Sequence, residues 1–290
     1  MKSGNPSLRS IWMMVVMVGA SLLMIAPFFL MLTTSLKSSS ELKSIGFSVF
    51  PQELSFSNYL IAMQRGNWVR YFYNSLVITT VTVLVSLVIN SMAGYAFARL
   101  KFRGRQILFI SSLIGLMIPP QTTMIPVFIM LRHFPLMGGN DLMGTGGIGL
   151  INSYTGLVIP FIAGSFGVFL FRQYYLNFPH SLDDAAEIDG VGKLRCFLWI
   201  YVPLSKPAFA TLGALKATQT WNEYIWPLIM TTTEDMRTVQ LALTLFRDEY
   251  EIEWNYLMSA TTIITIPLVV LFLFSQRFFV EGIVTTGIKA

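Results

Sequence analysis

Six long apolar runs, parted by short charged patches, constrain this chain more than any other feature of it. A bilayer core about 30 Å thick is crossed by a helix of about 20 apolar residues. The runs cover 11–34, 72–98, 107–130, 155–171, 207–230 and 256–274. The third contains Pro119, Pro120 and Pro126, which point to a bent or broken helix whose freed backbone groups protein or water satisfies, and the fifth carries several polar residues. Composition agrees, since 54% of the 290 residues are hydrophobic and only 12% are charged. A soluble domain carries about twice that charge. Disorder requires the opposite balance, and a single cysteine, Cys196, excludes a disulfide scaffold. The expectation is an all-α polytopic membrane protein with six transmembrane helices in one domain, 1–290. The first run is longer than the core of a signal peptide and no A-x-A site follows it, so it is expected to be retained.

Lys and Arg near the ends of the runs set the expected orientation. With the N-terminus inside, the inner segments hold 12 of them: Lys2, Arg9, Arg99, Lys101, Arg103, Arg105, Arg172, Lys193, Arg195, Lys206, Arg277 and Lys289. The outer segments hold 7: Lys37, Lys43, Arg65, Arg70, Arg132, Arg237 and Arg247. Both termini are therefore expected in the cytoplasm. The same topology accounts for the basic excess of 20 Lys+Arg over 15 Asp+Glu. No basic stripe interleaved with aromatics suggests nucleic-acid binding.

Several chemical motifs fail on context. Gly144-Thr145-Gly146-Gly147-Ile148-Gly149 spells G-x-G-x-x-G, but a dinucleotide site needs a strand before it and an acid about 20 residues after it. Asn140-Asp141-Leu142-Met143 precedes it and the next acid is Asp183, so a flexible outer loop is expected. There is no G-x-x-x-x-G-K-[ST] for ATP and no G-x-S-x-G for serine hydrolysis. His133, His180 and Cys196 are scattered, without metal-ligand spacing, and no metal site or catalytic residue is expected.

One expected cytoplasmic loop, about 177–205, gathers most of the inner-face acids. It contains Pro179-His180-Ser181-Leu182-Asp183-Asp184-Ala185-Ala186-Glu187-Ile188-Asp189-Gly190. Ser181 and Asp184 form an S-x-x-[DE] capping box for a short helix, and Pro179 stops the preceding run. Ala185 and Ala186 offer a side that another protein can approach closely. Gly190 is placed to end the helix in a left-handed conformation. Local physics fits both a solvated loop and a docking helix.

Asp184-Ala185-Ala186-x-x-Asp189-Gly190 followed by Ile200-Tyr201-Val202-Pro203 resembles the EAA loop of ABC importer permeases, E-A-A-x-x-D-G-A-x8-I-x-L-P. The spacing is kept, with Asp184 for Glu, Val191 for Ala and Val202 for Leu. The resemblance extends along most of the chain and is to the carbohydrate branch, the type of the second permease of the maltose importer. It is carried by Phe50-Pro51, Asn58-Tyr59, Asn74-Ser75, Tyr95-Ala96-Phe97-Ala98-Arg99, Trp221-Asn222-Glu223-Tyr224 and Trp226-Pro227-Leu228. The tail, about 277–290, adds Gln276-Arg277-Phe278-Phe279-Val280-Glu281-Gly282-Ile283 and Gly287-Ile288-Lys289. The loop 136–149 is longer than the group's usual one.

The resemblance implies a type I ABC importer permease of a bacterial or archaeal inner membrane. It implies a heterodimer with a second homologous permease, an ATP-binding subunit dimer that holds ATP and Mg2+, and an extracytoplasmic solute-binding protein. This chain would itself be no enzyme and bind no cofactor. Asp184, Ala185, Ala186, Asp189 and Gly190 take the coupling role, with the 183–189 helix docked on the ATPase. The branch commonly imports di- and oligosaccharides. Glycerol-phosphodiester import is the alternative within the class, and an autonomous secondary transporter or channel, or a membrane scaffold, are alternatives outside it.

Charged residues inside a run usually face a cavity or a partner. Lys216, Gln219 and Glu223 are spaced i, i+3, i+7 on one helical face, with Asn222 beside Glu223. Trp221, Tyr224 and Trp226 add stacking surfaces, and sugar sites join such faces to amide and carboxyl groups. A translocation path or gate at Lys216, Gln219, Trp221, Asn222 and Glu223 is expected. An aromatic belt at the membrane interface is the other reading of the same cluster.

Overall fold

The computed structural model describes residues 8–44, 48–248 and 251–287, with side chains for 10–44, 48–248 and 251–276. Lys2 and the 288–289 end of the tail pattern lie outside the described residues, as do the side chains of Arg9, Arg277 and the rest of the tail pattern to Gly287. The described residues are helical, and beyond helices and turns they hold one isolated antiparallel bridge, Arg247 to Ile252.

Among the described residues, three helices are long and apolar enough to cross a bilayer: Ser10–Ser35, Trp68–Arg99 and Trp254–Gln276. The other three apolar runs are broken. The third splits into Arg105–Ile114 and Pro120–Arg132. Pro119 and Pro120 explain this, since a proline donates no backbone bond and forces the residue before it out of the helical region. The fourth run bends by 47° between Tyr154–Phe161 and Ser165–Leu176, where Gly164 is extended at φ −153, ψ 134. The fifth splits into Lys206–Trp221 and Ile225–Met230.

The chain forms two compact units. The first comprises Met1–Trp68 and Leu243–Ile266. Its long N-terminal helix leaves the side chains of its apolar window exposed. At the helix's end, Asn58 Nδ2 donates to the carbonyls of Ser35 and Lys37, at 2.8 Å each. Ser259 donates to the Ser35 carbonyl as well, at 3.1 Å. Trp68 Nε1 closes the helix Ser57–Gln64 in the same way, donating to Ala62 O at 2.9 Å.

The second unit comprises Val69–Ala242 and Pro267–Ala290. The helix Trp68–Arg99 buries a stripe of small and polar residues at spacings of three and four: Ser75, Thr79, Thr82, Ser86 and Asn90. Val69, Leu76, Leu84 and Val88 on other faces are exposed. This inverts the amphipathicity of a soluble helix and suits a helix whose surroundings are apolar. Gly94 and Ala98 continue the stripe. A Cβ on Gly94 would lie 2.5 Å from Phe171 Cβ and 2.9 Å from Arg172 N, so the helix Ser165–Leu176 crosses here at backbone contact. Two apolar clusters lie in this unit, the first of them at the crossing. One gathers Tyr95, Phe171, Tyr175, Phe197 and Tyr201. The other gathers Ile78, Leu131, Leu157, Trp226 and Met230.

Candidate functional site

The expected docking segment forms a helix, Ser181–Ile188. Its entrance differs from the expected capping box. His180 is the cap residue, already helical at φ −66, ψ −24, and no side chain caps the turn. Ser181 is thus the first helical residue, and its hydroxyl is no longer placed to cap. The exit follows the expectation for Gly190, which has φ +69. Val191 N–H donates to Ala186 O at 2.8 Å and Gly190 N–H to Glu187 O at 3.1 Å. Those two bonds make a Schellman motif, and Val191 and Ala186 pack in the same apolar cluster.

The two alanines part company. Ala186 is buried in the unit's own apolar cluster, so it is not part of an open docking side. Asp184, Ala185, Ile188, Asp189 and Gly190 are exposed. Ile188 is 86% exposed, a large apolar side chain on an otherwise polar face. In the sequence, the signal for this face is an apolar residue flanked by acids, Glu187-Ile188-Asp189.

Opposite that face stands a buried cation. Arg99, the last residue of the helix Trp68–Arg99, has a side chain only 2% exposed. Its Nη1 lies 3.2 Å from Asp183 Oδ2 and 3.1 Å from His180 Nδ1. Its Nη2 donates to the carbonyls of Tyr175, at 2.7 Å, and Phe178. The Tyr201 hydroxyl lies 2.9 Å from both Asp183 oxygens, and the guanidinium sits over the Tyr201 ring. Burial, and then the bond to Asp183, push the Tyr201 phenol above its ordinary range, so it remains a donor. Tyr201 ends a π-helical turn, Phe197–Tyr201, closed by Val202 N–H to Phe197 O. Pro203 has no N–H for the carbonyl four residues back and crowds it, which favours the wider turn. In the sequence Arg99 shows only as one charge of a basic cluster. Its partners lie about 80 residues along the chain and are invisible to local patterns.

The expected path residues disperse. Lys216 Nζ donates to Phe161 O at 3.2 Å, at the bend between Tyr154–Phe161 and Ser165–Leu176. Asn90 serves the same bend, accepting from Gly164 N–H at 3.1 Å. Side chains here replace the backbone partners that a broken helix loses. Glu223 Oε1 accepts from Trp226 N–H at 3.0 Å and caps the helix Ile225–Met230. Asn222 and Gln219 are exposed, and Asn222 Oδ1 accepts from Gln240 Nε2 at 2.8 Å. Two of the expected stacking surfaces are instead core: Trp221 is buried against Phe72, and Trp226 against Phe161 with Nε1 donating to Gly156 O at 3.0 Å. Large apolar rings at a helix break gain more from covering it than from facing a polar path. A cavity of about 10 Å³ beside Glu223, Thr220, Ser75 and Thr238 has room for one water molecule, not for a sugar ring.

The loop 136–149 forms a hydrogen-bonded knot rather than an open flexible loop. Asn140 Nδ2 donates to Arg132 O at 2.8 Å and Phe134 O at 3.0 Å, while its Oδ1 accepts from Gly147 N–H at 2.8 Å. Asp141 accepts from the N–H of Met143 at 2.8 Å and of Thr145 at 2.9 Å. These bonds, led by those from Thr145, hold the Asp141 carboxyl below its ordinary range. His133 lies against Gly144 O, and Cys196 is a buried free thiol.

A helical membrane fold with mended breaks and an exposed acidic helix is the architecture of a transport permease. The chain belongs to the binding-protein-dependent transport system inner membrane component family, whose model matches residues 90–284. It is 36% identical over 272 residues to the arabinooligosaccharides transport system permease protein AraQ of Bacillus subtilis, covering 93% of this chain and 92% of the relative. It is 32% identical to the probable starch degradation products transport system permease protein AmyC of Thermoanaerobacterium thermosulfurigenes, covering 93% of each. Its fold matches a chain of a bacterial ABC transporter involved in the import of the acidic polysaccharide alginate. The TM-score there is 0.79 at 22% identity, over 96% of this chain and 99% of the other.

Proposed function

We propose that this chain is one of two homologous permeases of a sugar importer in the inner membrane of a bacterium or archaeon. Its substrate is a di- or oligosaccharide, delivered by an extracytoplasmic solute-binding protein and driven by a dimer of ATP-binding subunits that hold ATP and Mg2+. Six helices span the bilayer in one permease domain, three of them broken, and both termini are cytoplasmic. The helix Ser181–Ile188 couples ATP hydrolysis to transport through Asp184, Ala185, Asp189 and Gly190, with Ala186 holding it to its own domain. The observation that carries this reading is the exposed face formed by Asp184, Ala185, Ile188 and Asp189 on a helix capped by Gly190. The names of the relatives AraQ and AmyC support the substrate class.

The experiment is purification from the native membrane in mild detergent, followed by uptake measurements on Asp184→Lys and Gly190→Pro. The expected result is a second permease and an ATP-binding subunit in the purified complex, and variants that reach the membrane but no longer transport. A chain that purifies alone and moves sugar on an ion gradient would overturn the importer reading. Normal uptake by both variants would overturn the coupling assignment.

A further inference from the structure

A helix of eight residues joined to the rest by Pro179 on one side and by Gly190 and Gly192 on the other should swivel when pushed. A Cβ on Gly190 or Gly192 would meet nothing within 4 Å, so neither glycine is itself packed, and at that exit the helix is held by the apolar contact of Ala186 and Val191. Apolar contact is non-directional and leaves a short helix free to turn, so its orientation must be fixed by directional bonds.

Resting on the coupling reading, we infer that Arg99, Asp183 and Tyr201 form a clamp that makes the helix Ser181–Ile188 move as one body with the helices around it. Arg99 is the positioning residue at its centre. The guanidinium ends the helix Trp68–Arg99, takes two carbonyls at the end of Ser165–Leu176, and pairs with Asp183 of the coupling helix. Tyr201 ties the same carboxylate to the segment that leads into Lys206–Trp221. One buried cation therefore joins four stretches of chain. It sits among aromatic rings, where water screens little and an ion pair gives way only at high cost. Asp183 lies next to Asp184 in sequence but does a different job. Asp184 faces outward for a partner, and Asp183 faces inward to the clamp.

Distance measurement between spin labels tests this in the intact transporter, with its partner subunits, in a bilayer. Labels on Glu187→Cys and Gln173→Cys, both exposed, report the coupling helix against the helix Ser165–Leu176; Cys196 is replaced by Ala. With the clamp intact, the distance distribution stays narrow and unchanged between the nucleotide-free and ATP-bound states. Asp183→Asn and Tyr201→Phe should each widen it about twofold and make it shift with ATP, and Asp183→Glu should restore much of the wild-type width. A distribution as narrow in Asp183→Asn as in wild type overturns the clamp. Where Asp183→Asn does not accumulate, Tyr201→Phe decides on the same criterion, since it keeps the ion pair and the ring. Ala185→Arg separates the two readings, because it fills the exposed face and leaves the clamp untouched. Retention of the ATP-binding subunit by Ala185→Arg overturns the docking reading whatever the distances show. Its loss, together with a narrow Asp183→Asn distribution, overturns the clamp alone.

Discussion

The two ends of the helix Trp68–Arg99 are anchored by different chemistry. Near its start, Asn74 Nδ2 donates to the backbone carbonyls of Asp235 and Arg237 at 2.7 and 2.8 Å, and its Oδ1 accepts from Tyr154 at 2.6 Å. Ser75 beside it accepts from Val239 N–H at 2.9 Å. These bonds hold the segment 235–239 by its backbone, while Met236 and Val239 add buried side chains and the side chain of Asp235 stays exposed. At the other end, Arg99 needs a carboxylate at position 183 as well as backbone carbonyls. An amide anchor tolerates change in the segment it holds, because each neutral bond contributes only about 1 kcal/mol. A buried ion pair fails when one partner goes, because the other charge is left uncompensated. The Asn74 end suits a loop free to vary at its exposed positions, such as Asp235. The Arg99 end suits a junction that must keep its geometry while force passes through it.

The largest effect should come from removing the charge at the second end. Arg99→Met is expected to cost about 3–5 kcal/mol, because Asp183 stays partly buried without its cation. Denaturation of the purified protein measures it. The double variant Arg99→Met with Asp183→Leu should be more stable than Arg99→Met alone. If it is less stable, the pair is not the source of the loss and the contrast between the two ends fails. Next in size is the crossing between the ends. Gly94→Ala places a methyl group against Phe171 Cβ and the Arg172 backbone, neither of which can swing away. A loss of about 1–3 kcal/mol is expected, seen as a lower Tm.

Much of this was legible in the sequence. The apolar runs locate six helical regions, and the spacing from Asp184 to Gly190 locates the short helix and its left-handed end. Several of the residues that carry the family resemblance anchor other stretches of chain. Asn58 closes the N-terminal helix, Asn74 and Ser75 hold the segment after the fifth run, and Glu223 caps the helix after its own break. The prolines of the third run announce its break, but local hydropathy could not reveal the break in the fourth, because a break mended by Asn90 and Lys216 costs the run no apolar residue. The inward turn of Ala186 and the burial of Trp221 depend on partners distant in sequence. One missed feature did have a local signal. The stripe Ser75, Thr79, Thr82, Ser86 and Asn90 stands at helical spacing within an apolar run, and such a stripe marks a packing face.

The two smaller predictions sharpen the contrast from its weak side. Asn74→Ala should cost about 1–3 kcal/mol, since two carbonyls lose their donor. Asp235→Ala in the held segment should stay within about 0.5 kcal/mol, because only the Asp235 backbone is used. Equal losses in the two would mean that the segment is held by its side chains after all. Asp141 supplies the third case, a charged anchor without burial. Its carboxylate accepts from backbone N–H groups as Asn74 donates to carbonyls, but water screens it. The folded loop holds this carboxyl below its ordinary value of 3.8. Its contribution is therefore complete above that value and is lost as pH falls through the lower value of the folded loop. Amide exchange at Met143 and Thr145 should accelerate in that acid window, relative to the loop's other amides, while amides beside Asn74 stay protected. Asp141→Asn should show the faster exchange already at neutral pH. If acid loosens the Asn74 end first, charge is not what separates the anchors, and burial alone must account for the difference.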